Sequence, residues 1–344
     1  MIPVPIEANL LVTSSCNLSC RHCTVTSHGP LEADLSPSEW GTVLQRLQDA
    51  RVLRLTITGG EPFARPDLDQ IIGQVMSRPF RFTINTNGTL LDRRAVRLLL
   101  DSRRRLDDLM IGLDGSCPEV VDRLRGAGTF GLQMEGLERL ASSGIRPGFY
   151  CTVTSINRHD LPGVLRLANR YGRWIKFNPF VISGPALDRK LALSPPEYVR
   201  VARELRELSR KVDFQVLGVI PDMLAALEGD ADGRWPAFGC GALRSKVSVM
   251  PNGQVAPCDH LPGLRLGSLL DSSLEEILRG EAAAGIAETI DRGLREEPAC
   301  ADCSFRERCI GGCPVRALAG RGDRRDPYSC LRLMSGEDGS AGDA

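Results

Sequence analysis

The sequence predicts an α/β protein whose parallel sheet is followed by a small, cysteine-rich region. Three observations carry that prediction. Short apolar runs alternate with amphipathic helical patterns over the first two thirds of the chain. An Asn-Gly turn between two apolar runs follows near residue 252. Seven of the twelve cysteines then crowd the last third.

The strand-like runs, in order, are Ala8–Thr13, Leu53–Thr58, Arg81–Asn85, Leu109–Leu113, Phe149–Thr154 and Trp174–Phe180. Between them, apolar residues recur every three or four positions in Glu39–Leu47, Ala95–Leu100, Gly136–Leu140 and Pro162–Ala168, the spacing of one helix face. Ser36 reads as a helix cap, with Pro37 in the first turn and Glu39 three residues after the cap. Six such βα units suit an open, incomplete barrel and a doubly wound sheet equally well. Further on, Ser245–Met250 and Gln254–Ala256 flank Pro251-Asn252-Gly253 as a β-hairpin. Leu274–Leu278 reads as a helix after Asp271-Ser272-Ser273. A boundary is expected near 220–240, because no cysteine lies between 152 and 239. The 334–344 tail, rich in Gly, Ser and acid, reads as disordered.

Composition narrows the function. The chain has 344 residues and equal numbers of basic and acidic side chains, 43 of each. Zero net charge speaks against broad electrostatic binding to nucleic acid or an anionic membrane. Only four of the basic residues are Lys, and the Arg is spread along the chain. Neither a signal peptide nor an apolar run long enough to span a bilayer is present. A cytoplasmic location is therefore expected. In a reducing compartment, twelve cysteines read as metal ligands or catalytic groups rather than disulfides.

Cys16-x3-Cys20-x2-Cys23 directly follows the first strand. Three thiolates on one loop can hold three irons of a [4Fe–4S] cluster and leave the fourth iron open. Zinc would need a fourth ligand nearby, and His22 and His28 keep that alternative open. The triplet resembles the signature of the radical S-adenosylmethionine (radical SAM) enzymes. That resemblance implies that SAM chelates the open iron and is cleaved to a 5′-deoxyadenosyl radical, which abstracts hydrogen from a substrate. It also decides for an incomplete (β/α)6, TIM-like barrel over 6–220, and implies an external electron donor of flavodoxin or ferredoxin type.

Further motifs follow in the family's order. Gly59-Gly60-Glu61-Pro62 ends the second strand and resembles the turn that holds the SAM amino group. Asn85 and Asn87, at the end of the third strand, lie where the family places polar SAM contacts. Asp122-Arg123-Leu124-Arg125 resembles the segment whose last Arg meets the SAM carboxylate, making Arg125 a candidate. Many relatives carry Ser where this chain has Gly112, so a hydroxyl contact is lost or supplied elsewhere. All these motifs sit at strand C-terminal ends, where α/β folds build ligand sites. Cys117 and Cys151 read as small core or loop residues.

The late cysteines, Cys240, Cys258, Cys300, Cys303, Cys309, Cys313 and Cys330, resemble the SPASM domain found after many radical SAM domains. It is expected over 235–333, with two auxiliary [4Fe–4S] clusters and three clusters in all. The family connectivity implies that Cys240, Cys258 and Cys313 hold one, and Cys300, Cys303, Cys309 and Cys330 the other. Seven ligands leave one iron open, or filled by Asp232, water or substrate. Zinc in the Cys-x2-Cys…Cys-x3-Cys portion is the alternative. Pro257-Cys258-Asp259 resembles a segment of anaerobic sulfatase-maturating enzymes in which the acid is the catalytic base, so Asp259 is the candidate base, with His260 beside it.

The resemblance favours oxidation or cross-linking of a residue in a ribosomal peptide or protein. Fifteen residues precede Cys16, which implies a separate leader-peptide-binding protein or a substrate without leader. Two other readings stand. One is a dehydrogenase or epimerase of a small molecule, such as a sugar or aminocyclitol, with the 182–196 loop near the substrate. The other is a non-catalytic multi-cluster electron carrier, which would need no SAM pocket.

Overall fold

The structure, a computed structural model, describes residues 4–24, 33–183, 188–218, 238–261, 263–295, 297–303, 306, 309–310, 312–319 and 330. Seven parallel strands come in chain order: β1 (Glu7–Thr13), β2 (Arg54–Gly59), β3 (Arg81–Thr86), β4 (Leu106–Gly112), β5 (Gly148–Val153), β6 (Trp174–Pro179) and β7 (Gln215–Gly218). Helices α1 (Pro37–Asp49), α2 (Leu68–Met76), α3 (Arg93–Ser102), α4 (Pro118–Arg125), α5 (Thr129–Ser142), α6 (Leu161–Tyr171) and α7 (Pro195–Ser209) connect them. Neighbouring strands pair in sequential order without reversal. A doubly wound sheet reverses its order at a switch point, whereas sequential order belongs to a barrel-like winding. Among the described residues the two edge strands do not pair with each other, so the winding stays open.

The six anticipated strands all form, five of them within one residue of their expected bounds, while β4 starts three residues earlier, at Leu106 rather than Leu109. The short Gln-Val-Leu-Gly strand β7 adds a seventh, carried by pairing with β6 rather than by a long apolar run. Helix α1 starts as expected, with reciprocal Ser36 and Glu39 hydrogen bonds and Pro37 in the first turn.

Alternation along the strands gives the sheet two unlike faces. Ala8, Leu10, Val12, Leu55, Ile57, Phe82, Ile84, Leu109, Ile111, Phe149, Ile175 and Phe177 are buried and join one core with Trp40, Leu44, Ile71, Leu99, Leu137, Val164 and Leu205 of the helices. The opposite face carries Asn9, Thr56, Thr58, Thr83, Asn85, Tyr150, Thr152 and Asn178, all half-buried. Parallel strands ordinarily bury apolar residues on both faces, and a closed barrel fills its interior with branched ones. A polar, half-open interior instead leaves room for a ligand.

The cysteine-rich region continues this sheet. Strand β8 (Phe238–Gly239) stands apart, β9 (Lys246–Val249) pairs parallel with β1, and β10 (Gln254–Ala256) and β11 (Gly267–Ser268) extend the edge antiparallel. The hairpin turn is the expected one, with Gly253 at φ +82. Helix α8 (Leu274–Arg279), capped by Ser273 and Glu276, and α9 (Glu281–Arg295) follow. Strand β12 (Cys309–Ile310) pairs with β8, and α10 (Pro314–Ala319) comes after it. Asp232, the 334–344 tail and all of the expected 220–240 boundary up to residue 237 lie outside the described residues.

Two glycines make opposite predictions. A Cβ on Gly60 would lie 2.1 Å from the Ser15 carbonyl oxygen, whereas one on Gly73, exposed in α2, would meet nothing within 4 Å. Gly73→Ala should stabilise the metal-free chain by about 0.5–1 kcal/mol through helix propensity. Gly60→Ala should destabilise it by about 2 kcal/mol or more, because backbone must move. Urea unfolding of both variants checks the contrast; equal effects would contradict the packing seen here.

Candidate functional site

The first cysteine group is built where β1 ends. Asp34 accepts hydrogen bonds from the Thr13 hydroxyl and from Ser14 N at 3.0 Å, closing the strand. Gly60 N donates to Thr13 O at 2.8 Å and Glu61 N to Ser15 O at 2.9 Å, so the Gly-Gly-Glu turn lies directly against the cysteine loop. Gly59 takes φ +133 there, and a Cβ would lie 2.4 Å from Thr13 O. Both glycines thus serve backbone-to-backbone packing of the turn on the loop. Asn17 bridges to Thr89 and Asn87, at 2.9 Å each, and Arg21 N donates to Leu124 O.

Most of the candidate residues converge on this loop, but Glu61, Asn87 and Arg125 are already engaged in hydrogen bonds. Glu61 is fully buried, and its carboxylate accepts from Phe63 N, the Thr86 hydroxyl and Asn87 N at 2.7–3.1 Å. Burial outweighs those donors and raises its pKa above the ordinary value. One lone pair of Oε2 remains for a further donor. Pro62 is buried and opens a single 3-10 turn, Pro62–Ala64. Asn87 turns toward Cys16 and Asn17, while Asn85 lies half-buried on the polar face.

Arg125 reaches from the end of α4 to Asp114, just beyond β4. Its Nε and Nη2 both donate to Asp114 Oδ2, at 2.9 and 2.6 Å. Among the described residues Nη1 has no partner. His22 Nε2 meets the same oxygen at 3.0 Å, and Thr152 N donates to Oδ1 at 2.8 Å. Burial opposes ionisation, yet Arg125 and His22 hold the Asp114 carboxyl well below the usual carboxylate range. Asp114 follows the fourth strand-like run with no local motif that marks it as a site residue. Its role as the hub was not legible, because its partners lie 11 and 92 positions away. Gly112 has the matching explanation: a Cβ there would lie 2.3 Å from Arg125 Nη2, so the guanidinium takes the space of a side chain. Tyr150, the register partner of Gly112 on β5, stands over the same spot.

The donors suit an iron–sulfur cluster. Cys16 Sγ accepts from Leu18 N at 3.4 Å, two residues on. Burial pushes the Cys20 thiol up to about 11, with Arg125 opposing and the charges of Cys23 and Cys16 adding to the rise, so the three sulfurs lie within electrostatic reach of one another. His22 Nδ1 is buried without a hydrogen-bond partner, an orphan that a bound group can satisfy. No three His, Cys, Asp or Glu side chains of the described residues converge as for a single ion; a cluster takes one thiolate per iron.

The second cysteine group stands at the other end of β1. Cys240 Sγ accepts from Ala242 N at 3.4 Å and Cys258 Sγ from His260 N at 3.5 Å, the same two-residue turn as at Cys16. Asp259 Oδ1 lies 3.3 Å from Cys258 Sγ. Although burial opposes it, His260 and Lys246 hold the Asp259 carboxyl below its ordinary value. Ser183, from the loop after β6, donates to His260 O at 2.7 Å and so ties the Asp259 loop to the parallel sheet. The β8–β12 pairing, Phe238 with Cys309 and Gly239 with Ile310, brings the chain before Cys240 beside the chain before Cys313. Cys300 and Cys303 share a turn, and Cys330 is half-buried. Cys151 is a core residue and Cys117 precedes α4.

Asp114→Asn should lower the stability of the metal-free chain by about 3 kcal/mol or more, since it strands a buried guanidinium. The pH dependence follows from the depressed pKa. The folded chain binds fewer protons than the unfolded one, so the stability Asp114 contributes is present near neutrality and is lost as pH falls below about 4. Urea titrations between pH 7 and 3 should show a shallower acid decline for the Asn variant; superimposable slopes would contradict the hub.

No helix of the described residues is long and apolar enough to cross a membrane. Residues 10–168 match the model of the radical SAM superfamily, and residues 240–304 that of an iron–sulfur cluster-binding domain, SPASM. The mycofactocin maturase MftC of Mycobacterium ulcerans is 28% identical over 319 residues, covering 91% of this chain and 84% of that one. The PqqA peptide cyclase of Rhodopseudomonas palustris is 29% identical over 353 residues, covering 95% and 87%. Among solved structures, Streptococcus suis SuiB bound to its precursor peptide SuiA superimposes with a TM-score of 0.77 at 17% identity, over 93% of this chain and 74% of that one, and so shares the fold. The chain thus carries a radical SAM domain, which binds a [4Fe–4S] cluster and SAM, followed by a SPASM domain, which binds auxiliary iron–sulfur clusters.

Proposed function

We propose that the protein oxidises or cross-links a residue of a ribosomal peptide by SAM-dependent radical chemistry. The observation that carries this reading is the placement of two cysteine groups at opposite ends of β1, joined by one polar sheet face. Cys16, Cys20 and Cys23 follow its last residue, and Cys258 lies opposite the strand that pairs with its first. The seven residues of β1 span about 20 Å. A peptide segment laid across that face meets both ends. The relatives named as a maturase and a peptide cyclase support a peptide, as does the peptide-bound state of SuiB.

Cys16, Cys20 and Cys23 hold the SAM-binding cluster, which with SAM supplies the hydrogen-abstracting radical. Nη1 of Arg125 takes the SAM carboxylate, while Asp114 keeps the guanidinium fixed. The Gly59-Gly60-Glu61 turn and Asn85 face the amino end. At the far end, Asp259 takes the proton that the substrate loses, and the late cysteines hold the auxiliary clusters that serve as electron sink. Asp259 suits that task because it is ionised and anchored beside Cys258.

Two measurements test this. Anaerobically reconstituted protein should carry about 12 iron and about 12 sulfide per chain, three sites of four; about 4 iron would remove the auxiliary electron path. Incubation with SAM, reductant and a precursor peptide encoded beside the gene should yield 5′-deoxyadenosine and a peptide lighter by two hydrogens. Asp259→Asn should keep SAM cleavage and lose product by about 100-fold. Deoxyadenosine without any peptide change, across such peptides, would point to a small-molecule substrate.

A further inference from the structure

Lys246 is a half-buried ammonium with no hydrogen bond or ion pair among the described residues. Its place is well defined. Ser248 pairs with Ala256 and Val249 with Val255 across the hairpin, and Cys258, two residues past the last pair, comes within electrostatic reach of Lys246. The stem of Lys246 lies over Gly241, where a Cβ would meet its Cγ at 3.5 Å and its Cε at 3.6 Å, next to Cys240. Lys246 N donates to Gly241 O and Leu243 N to Lys246 O, so the 240–246 turn is folded around this residue. Val247 and Val249 point into the core, which leaves Lys246 on the face of Ser248, Ala256 and the polar interior. Glu7 is its register partner on β1.

An ammonium drawn partly out of water without a partner is costly. The groups whose charges act on it are Asp259, Cys258, Cys240 and Glu7, and together they keep it protonated despite burial. A guanidinium spreads its charge over a wide fork, whereas an ammonium is a compact point charge. This chain places Lys here although all but four of its 43 basic residues are Arg. Two of the four surrounding groups are thiols that become anionic on binding metal.

We propose that Lys246 is a charge-tuning residue of the auxiliary cluster held by Cys240 and Cys258, raising its reduction potential so that it accepts an electron more readily. This rests on the cluster reading given above. The sign follows from electrostatics: a fixed positive charge beside the cluster favours the state with one more electron, and net charge is among the determinants of such potentials. Asp259 and Glu7 face the same site and remain in every variant, so the change isolates the lysine.

The test compares the reconstituted wild type with Lys246→Met and Lys246→Arg, by iron and sulfide content and by redox titration followed by electron paramagnetic resonance. With full iron in all three, the auxiliary signal of Lys246→Met should shift to a more negative midpoint, and that of Lys246→Arg should stay near the wild type. Loss of four irons in Lys246→Met alone would also support the proposal, since the charge is then needed to hold the cluster. Equal midpoints at full iron would overturn it. So would equal iron loss in both variants, which would make packing over Gly241 the whole role. Cys258→Ala separates the underlying reading: unchanged iron and unchanged signals there would remove the cluster assignment itself, and the lysine's role with it.

Discussion

Asp114 holds a negative charge out of water at the C-terminal end of β4, and the site is assembled around that charge. Such a charge is tolerable only when it is paired and hydrogen-bonded. Its four donors come from separate parts of the chain: His22 from the cysteine loop, Nε and Nη2 of Arg125 from the end of α4, and the backbone N–H of Thr152 in β5. One carboxylate therefore sets the distance between the loop, the helix and two strands. The absence of a side chain at Gly112 is part of the same arrangement, because the guanidinium needs the room.

The cysteine loop is also supported from β2 and β3. Glu61 carries the second buried carboxylate and ties the Gly-Gly turn to the start of the loop after β3. Two buried acids, one ionised through a guanidinium and one raised by burial, thus frame the C-terminal end of the sheet with unlike electrostatics. The ionised one fixes a cation that can meet a carboxylate. The other keeps a lone pair that suits an ammonium. An amino-acid headgroup such as that of SAM presents both.

The polar face explains why the sheet stays open and why a second region joins its edge. A barrel interior lined by Thr, Asn and Tyr cannot close on itself as an apolar core does. The hairpin β9–β10 covers the β1 edge, puts Lys246 on the interior face beside Ser248, and brings Cys258 and Asp259, just past β10, within electrostatic reach of that lysine. Cys16, Cys240 and Cys258 each accept a backbone N–H from two residues on. That local turn presents a sulfur as an acceptor, the state in which thiolate binds iron, and hydrogen bonds to sulfur are among the means by which a protein tunes a cluster.

Much of this was legible in the sequence, and for a local reason. Strand runs, the Ser36 cap, the Asn-Gly hairpin and the cysteine spacings each depend on residues close together in the chain, so pattern and spacing suffice to read them. The Gly-Gly-Glu turn and Arg125 were located through their resemblance to segments of the radical SAM family, since neither composition nor periodicity marks them. Tertiary structure decided what those residues do with their atoms. It turned the two glycines into a packing surface for the loop, committed most of Arg125 to Asp114, and brought Lys246 within electrostatic reach of Cys258. Those outcomes depend on strand register and on side chains up to about a hundred positions apart, and neither is encoded in any single stretch of the chain.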